Sequence, residues 1–273
     1  MLRLNPFRKN KPSGYALCVG LNSVSPDHYG GWSGELNACE YDAHAMEKLL
    51  KKSGFVTRTL LTREATSAAF DECVSALQQV AKSGDTIVVT SSDHGGQLKD
   101  YDGNEADGKD ETICLFDRQF IDDELNNLWA GFAKGVRILY VADSCHSGTV
   151  SRAFGAAALQ GSKAVPRDVL ERTALENHWL YREVAAAARA RSKPIKASLL
   201  ALGACADNQL ALDGMFNGAF TEALLEARRE NPKATYGQLR KRCGILLPPT
   251  QSPQYTYGGA RCPEFESAPA FTI

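Results

Sequence analysis

The eight cysteines of this 273-residue chain include no C-x-x-C pair, which removes zinc-ribbon and thioredoxin-type chemistry from consideration. They stand at 18, 39, 73, 114, 145, 205, 243 and 262, several inside apolar strand-like runs such as YALCVGL and TICLF. Cysteine packs there as a small hydrophobe. Neither sign of charge is in surplus: 31 Lys and Arg stand against 32 Asp and Glu, a net charge of -1. The chain therefore has no field to gather nucleic acid or an anionic membrane. No apolar run approaches the roughly 20 residues of a spanning helix. The opening MLRLNPFRKNKPSG carries four basic residues but no apolar core of signal-peptide length. These lacks lead to the expectation of a cytoplasmic protein with reduced thiols and a solvated tail over residues 1–14. Internal repeats and low-complexity segments are also missing.

What is present is enough apolar material, 44% of residues, to bury a sizeable core in one large domain or two small ones. Short apolar runs alternate with helical patterns. YALCVGLN (15–22), VTRTLL (56–61), DTIVVTSS (85–92), ETICLF (111–116), VRILYVAD (136–143) and ASLLALGACA (197–206) read as strands. Helices are expected over 42–55, 67–84, 121–135, 217–232 and 234–247. Such alternation predicts an α/β fold, a mostly parallel sheet covered by helices on both faces. Residues 150–194, rich in Ala, Arg and Lys, read as a helical or partly mobile insertion without strands, with one helix in ENHWLYREVAAAARARS. The tail PPTQSPQYTYGGARCPEF reads as a Pro/Gly-rich loop.

In open α/β sheets reactive groups gather beyond the carboxyl ends of the strands. Two such ends carry unusual chemistry: TSSDHGG (90–96) and ADSCHSG (142–148). Period-two alternation sets Ser92 and His94 on one side, and Asp143 and Cys145 on one side. If the two strands are neighbours, His94 meets Cys145 and Ser92 meets Asp143. His146 points elsewhere, so the base for a Cys145 nucleophile is His94. A thiolate formed by such a pair attacks acyl carbon, and the imidazolium protonates the leaving amine. Backbone N–H groups in the Gly-rich turn after His94 and at Cys145 can hold the oxyanion.

The combination SSDHGGQ and DSCHSG, with LNACEYDAHAM upstream, DETICLFD and IDDEL between, and GACADNQLALDG and NGAFTEALLEA downstream, resembles the metacaspases and orthocaspases, caspase-like cysteine peptidases. The resemblance implies a caspase-like three-layer sandwich within one domain. Its large catalytic portion would span 15–149, an insertion or linker 150–194, and a smaller portion 195–273. It implies a Cys145/His94 dyad, an oxyanion hole at Gly95 and Cys145, and cleavage after Arg or Lys. The pocket for that basic side chain would be Cys39, Asp42, Ser92 and Asp143, where two carboxylates suit a cation and reject an acid. Asp42 also reads as a helix-start carboxylate favoured by the dipole, and Cys39 as simple packing. The partners implied are peptide or protein substrates, the state a monomer, with no organic cofactor.

Two departures stand out. The family carries Gly before the catalytic His, whereas this chain has Asp93, whose side chain is expected to turn away from Cys145 toward solvent or a loop. The family's calcium site corresponds to Asp110, Asp122 and Asp123, but its fourth acidic place falls on Arg152, so calcium stimulation is an open expectation. An EF-hand in DYDGNEADGKDE fails because its sixth position is Glu105, not Gly. The insertion offers Lys163, Arg167, Arg172, Arg182, Arg189, Arg191 and Lys193 as self-cleavage points, or as the basic face of an amphipathic helix. The alternative to an active peptidase is a weak or inactive caspase-like binding module, which Asp93 makes conceivable.

Overall fold

The structure is a computed structural model that describes residues 12–101, 103, 105, 107–145, 162–206 and 209–273. Strand β1 (Gly14–Gly20) leads to helix α1 (Cys39–Lys52), then β2 (Val56–Leu61), α2 (Ser67–Val80) and β3 (Thr86–Ser92). A small antiparallel sheet follows, made of β4 (Gly95–Lys99), β5 (Lys109–Cys114) and β6 (Gln119–Ile121). Helix α3 (Asp122–Ala130) and β7 (Arg137–Asp143) complete the first portion. Next come α4 (Arg167–Glu176), α5 (His178–Arg191), β8 (Ser198–Gly203), α6 (Ala219–Glu230), α7 (Tyr236–Leu246), β9 (Gln254–Gly259) and the short α8 (Pro263–Ser267).

The main sheet has the order β2-β1-β3-β7-β8-β9; all neighbours are parallel except β9, which runs antiparallel to β8. Its central strands are buried on both faces, which is why they read as continuous apolar runs. Alternate residues feed two cores. Cys18, Val88, Leu139 and Val141 pack under α1, α6 and α7 with Met46, Phe220 and Leu239. Leu17, Val19, Ile87, Val89, Ile138 and Tyr140 pack on the opposite side with Phe70, Phe120 and Trp129. The α/β expectation therefore holds, and its physical cause is this two-sided burial. All eight cysteines are unpaired thiols. Among the described residues, no helix is long and apolar enough to cross a membrane.

Three sequence expectations are corrected. The tail is not all loop: Gln254–Gly259 forms edge strand β9, whose Tyr255 and Tyr257 rings lie 4.9 Å apart. The insertion holds two helices, not one: the expected helix forms as α5, and α4 precedes it. The two meet at Asn177, whose side chain donates to the carbonyls of Thr173 and His28. The insertion also holds extended backbone, because Ser162 bridges Leu212 and Ala164 bridges Gly95.

Candidate active site

Strands β3 and β7 are adjacent, parallel and in register, with Ser92 opposite Asp143. The pleat directs both side chains to the α1 face, and the next residues of the same parity are His94 and Cys145. Their backbones meet tightly: a Cβ on Gly95 would stand 1.7 Å from the Cys145 carbonyl oxygen. Only glycine lets the chain pass there. His94 is buried at 3% exposure, and its ring packs on Trp32 with centroids 4.7 Å apart. Its Nε2 lies 2.9 Å from the Gly34 carbonyl oxygen. A carbonyl only accepts, so Nε2 carries the proton and Nδ1 keeps its lone pair. Nδ1 has no hydrogen-bond partner among the described residues. Burial pushes the His94 pKa down to about 4, against opposing contributions from the Gly34 hydrogen bond, so the ring is neutral near pH 7. Cys145 is fully buried and its Sγ accepts the Ala211 N–H at 2.7 Å.

Lys163 lies between these groups. The Gly95 N–H donates to the Lys163 carbonyl at 2.9 Å, and the Lys163 N–H donates to the Ala211 carbonyl at 3.0 Å. The Val165 N–H returns to the Gly95 carbonyl at 3.2 Å. The segment 162–165 is thus held as an extended peptide between β4 and the loop after β8. The Lys163 side chain, 0% exposed, descends into a pocket of acids. Its Nζ donates to Ser92 Oγ at 2.8 Å and to Asp42 Oδ2 at 3.2 Å, and pairs with Asp143 Oδ1 at 3.0 Å. Ser92 Oγ in turn donates to Asp42 Oδ2 at 2.7 Å.

The far oxygens of both acids are held by the start of α6. Asp42 Oδ1 accepts from Gly218 N and Asn217 Nδ2, both at 2.9 Å. Asp143 Oδ2 accepts from Thr221 N at 3.0 Å and Thr221 Oγ1 at 2.7 Å. Two carboxylates at a helix N-terminus are favoured by its unpaired N–H groups and dipole. Burial alone would lower the Lys163 pKa, but Asp143, Cys39 and Asp42 outweigh it and hold its pKa well above the usual lysine range. Burial raises Asp42, with Lys163 drawing it back, and burial also raises the Cys39 thiol.

All residues expected in the dyad, oxyanion hole and pocket are therefore gathered at one sheet edge. Sequence reasoning left Lys163 as one of seven basic residues on an exposed insertion; the structure instead buries it. The other six lie in α4 and α5 or just after them, and all are exposed. Arg167 pairs with Glu171 at 2.6 Å, Arg172 donates to the Gly30 carbonyl at 2.8 Å, and Arg182 lies over Trp179. Gly34, Trp32, Asn217, Gly218 and Thr221 were not foreseen in the site. NGAFTEALLEA drew notice only as a family motif, and loop contacts such as Gly34 leave no periodic signal.

Asp93 is also corrected. It is not at the surface but 0% exposed, on the opposite face with Ser91 and Tyr140. Neither carboxyl oxygen has a hydrogen-bond partner among the described residues. Burial lifts its pKa to about 8, against the pull of Lys163, so near neutral pH the acid is largely protonated. The expected calcium residues sit on β5 (Asp110) and at the start of α3 (Asp122, Asp123). Burial, then Glu111, Asp123 and Glu105, raise Asp122 to about 7. Among the described residues no group of three or more His, Cys, Asp or Glu is placed to hold a metal ion. His146 and Arg152 lie outside the described residues.

A layered α/β fold with cysteine and histidine at the ends of adjacent parallel strands defines a class, and the comparisons agree. The caspase-domain model of peptidase family C14 matches residues 13–271. The chain belongs to the caspase-domain family and is metacaspase-like. It is 29% identical over 270 residues to Metacaspase-1 of Schizosaccharomyces pombe, covering 82% of this chain and 62% of that protein. With Metacaspase-3 of Arabidopsis thaliana it is 32% identical over 161 residues, covering 54% of this chain and 42% of that one. It is 35% identical over 149 residues to Metacaspase-1 of Cryptococcus neoformans, which it spans over 31% of the length. The chain thus spans between about a third and three-fifths of these curated relatives. Protein GSU0716 from Geobacter sulfurreducens superimposes with a TM-score of 0.87 at 41% identity, over 96% of this chain and 99% of that one. Caspase-1 from Spodoptera frugiperda superimposes with a TM-score of 0.57 at 14% identity, over 96% of both chains, and shares the fold.

Proposed function

We propose that the chain is a cysteine endopeptidase that cuts after a basic residue and that its first substrate is its own Lys163–Ala164 bond. Neutral His94 takes the Cys145 thiol proton at Nδ1 as the sulfur attacks the carbonyl carbon. The oxyanion is held by the Gly95 N–H, already bonded to the Lys163 carbonyl, and by the Cys145 N–H. The imidazolium returns the proton to the leaving amine, and the C–N bond breaks to give a thioester. Water, deprotonated by His94, then attacks this thioester, releasing a carboxylic acid and the thiol.

The observation that carries this reading is Lys163 itself. Its carbonyl rests on the proposed oxyanion donor while its ammonium fills a pocket of two carboxylates. The test is an intact-mass time course of wild type and Cys145→Ala, with calcium and with chelator. A cut between residues 163 and 164 in wild type alone is expected. An intact wild-type chain whose Cys145 takes no active-site probe would leave a caspase-like module that holds Lys163 without cutting.

A further inference from the structure

The pocket around Lys163 raises a narrower question, which rests on the peptidase reading: which basic side chain does it accept? Three oxygens surround Nζ: Ser92 Oγ and Asp42 Oδ2 accept hydrogen bonds from it, and Asp143 Oδ1 pairs with it as an ion at 3.0 Å. The remaining oxygens of Asp42 and Asp143 are already engaged by Asn217, Gly218 and Thr221. Beyond Nζ the pocket is closed by Gly218, where a Cβ would stand 2.4 Å from Nζ, 2.7 Å from Asp143 Oδ2 and 2.9 Å from Asp42 Oδ2. Gly218 adopts φ -59 and ψ 147, a conformation open to any residue. Glycine is needed there for space, not for backbone freedom.

We propose that this pocket selects lysine over arginine, and that Gly218 is the specificity-determining residue that sets its depth. A guanidinium carries its terminal nitrogens about one bond, roughly 1.3 Å, beyond the central carbon, in a planar fork with five donors. At the depth of Nζ that fork meets the Gly218 backbone. Two of its five donors also exceed the three acceptor positions, in a pocket with no water access for them. A site whose polar groups match one side chain rejects its near relative strongly when the mismatch leaves buried donors unpaired.

The experiment compares kcat/KM for peptides identical except for Lys or Arg at the cleaved position, using the wild-type chain and Lys163→Ala, which empties the pocket. That variant is used only where its circular dichroism spectrum matches wild type, because it leaves Asp42 and Asp143 unpaired. Lysine is expected to be favoured by about tenfold or more. In the same protein, Lys163→Arg should slow the self-cut by a similar factor in an intact-mass time course. Gly218→Ala should keep the wild-type circular dichroism spectrum and lose lysine cleavage by at least about tenfold. Arginine peptides cleaved as well as lysine ones, or Gly218→Ala cutting lysine at the wild-type rate, would overturn the selectivity and leave the peptidase reading standing. Hydrolysis of neither peptide, with no self-cut, would remove both.

Discussion

Lys163 and Asp143 form an ion pair at 3.0 Å with their side chains 0% and 1% exposed. Two charges so far from water persist only because each has further partners: Ser92 and Asp42 for the ammonium, Thr221 for the carboxylate. The pair joins the insertion to β7, and through Thr221 to α6. It couples three separate stretches of chain at the edge where the dyad lies.

Removing one partner should therefore be costly. Lys163→Met leaves Asp42 and Asp143 facing an apolar side chain, and is expected to destabilise the fold by about 3–5 kcal/mol. Urea denaturation of the Cys145→Ala form, with and without this substitution, measures the effect without interference from self-cleavage. A difference below about 1 kcal/mol would mean that the pair is offset by its own desolvation.

Asp93 makes stability depend on pH in an unusual direction for an acid. Its folded pKa of about 8 lies above the ordinary value of 3.8, so the protonated form is favoured in the fold. That contribution is complete below about pH 4 and disappears as pH rises through about 8, at up to roughly 1.4 kcal/mol per pH unit. Asp93→Asn has nothing to ionise. Its melting temperature should gain on wild type as pH is raised from 5 to 8.5, both in the Cys145→Ala background. Parallel melting curves across that range would refute the assignment of a protonated buried acid.

His94 should set a low acid limit for catalysis. With its pKa near 4 through burial, the imidazole remains a free base at pH 5, where an ordinary histidine would be mostly protonated. The acid limb of kcat/KM is expected near pH 4–5 in wild type. Trp32→Ala opens the face of the ring that the indole covers, and should move that limb toward 6.5. The measurement is a pH–rate profile on one lysine peptide; an unshifted limb would show that Trp32 does not shield the base.

Much of this was legible along the chain. Val88 and Val89 face opposite cores, so β3 had to read as an unbroken apolar run, and β1, β7 and β8 likewise. Alternation predicts that Ser92 meets Asp143 if the two strands are neighbours, and the parallel register of β3 and β7 supplies that condition. The tail misled because Gln254–Gly259 is an edge strand with exposed residues, and its Pro and Gly neighbours mask the short pattern. Asp93 misled because alternation says which face a side chain takes, not what covers that face. Here the β4–β6 sheet and Tyr140 side bury it.

Local order needs only near neighbours, so periodicity predicts an α/β architecture and alternation sets His94 and Cys145 at two strand ends, while the resemblance to the metacaspases is what implies that they form a dyad. Which of seven basic residues enters the acidic pocket was settled elsewhere. That choice depends on backbone hydrogen bonds from Gly95 and Ala211 to Lys163, and on the start of α6 positioning Asp42 and Asp143. Those contacts join residues more than a hundred positions apart, and only folding brings them within reach of one another.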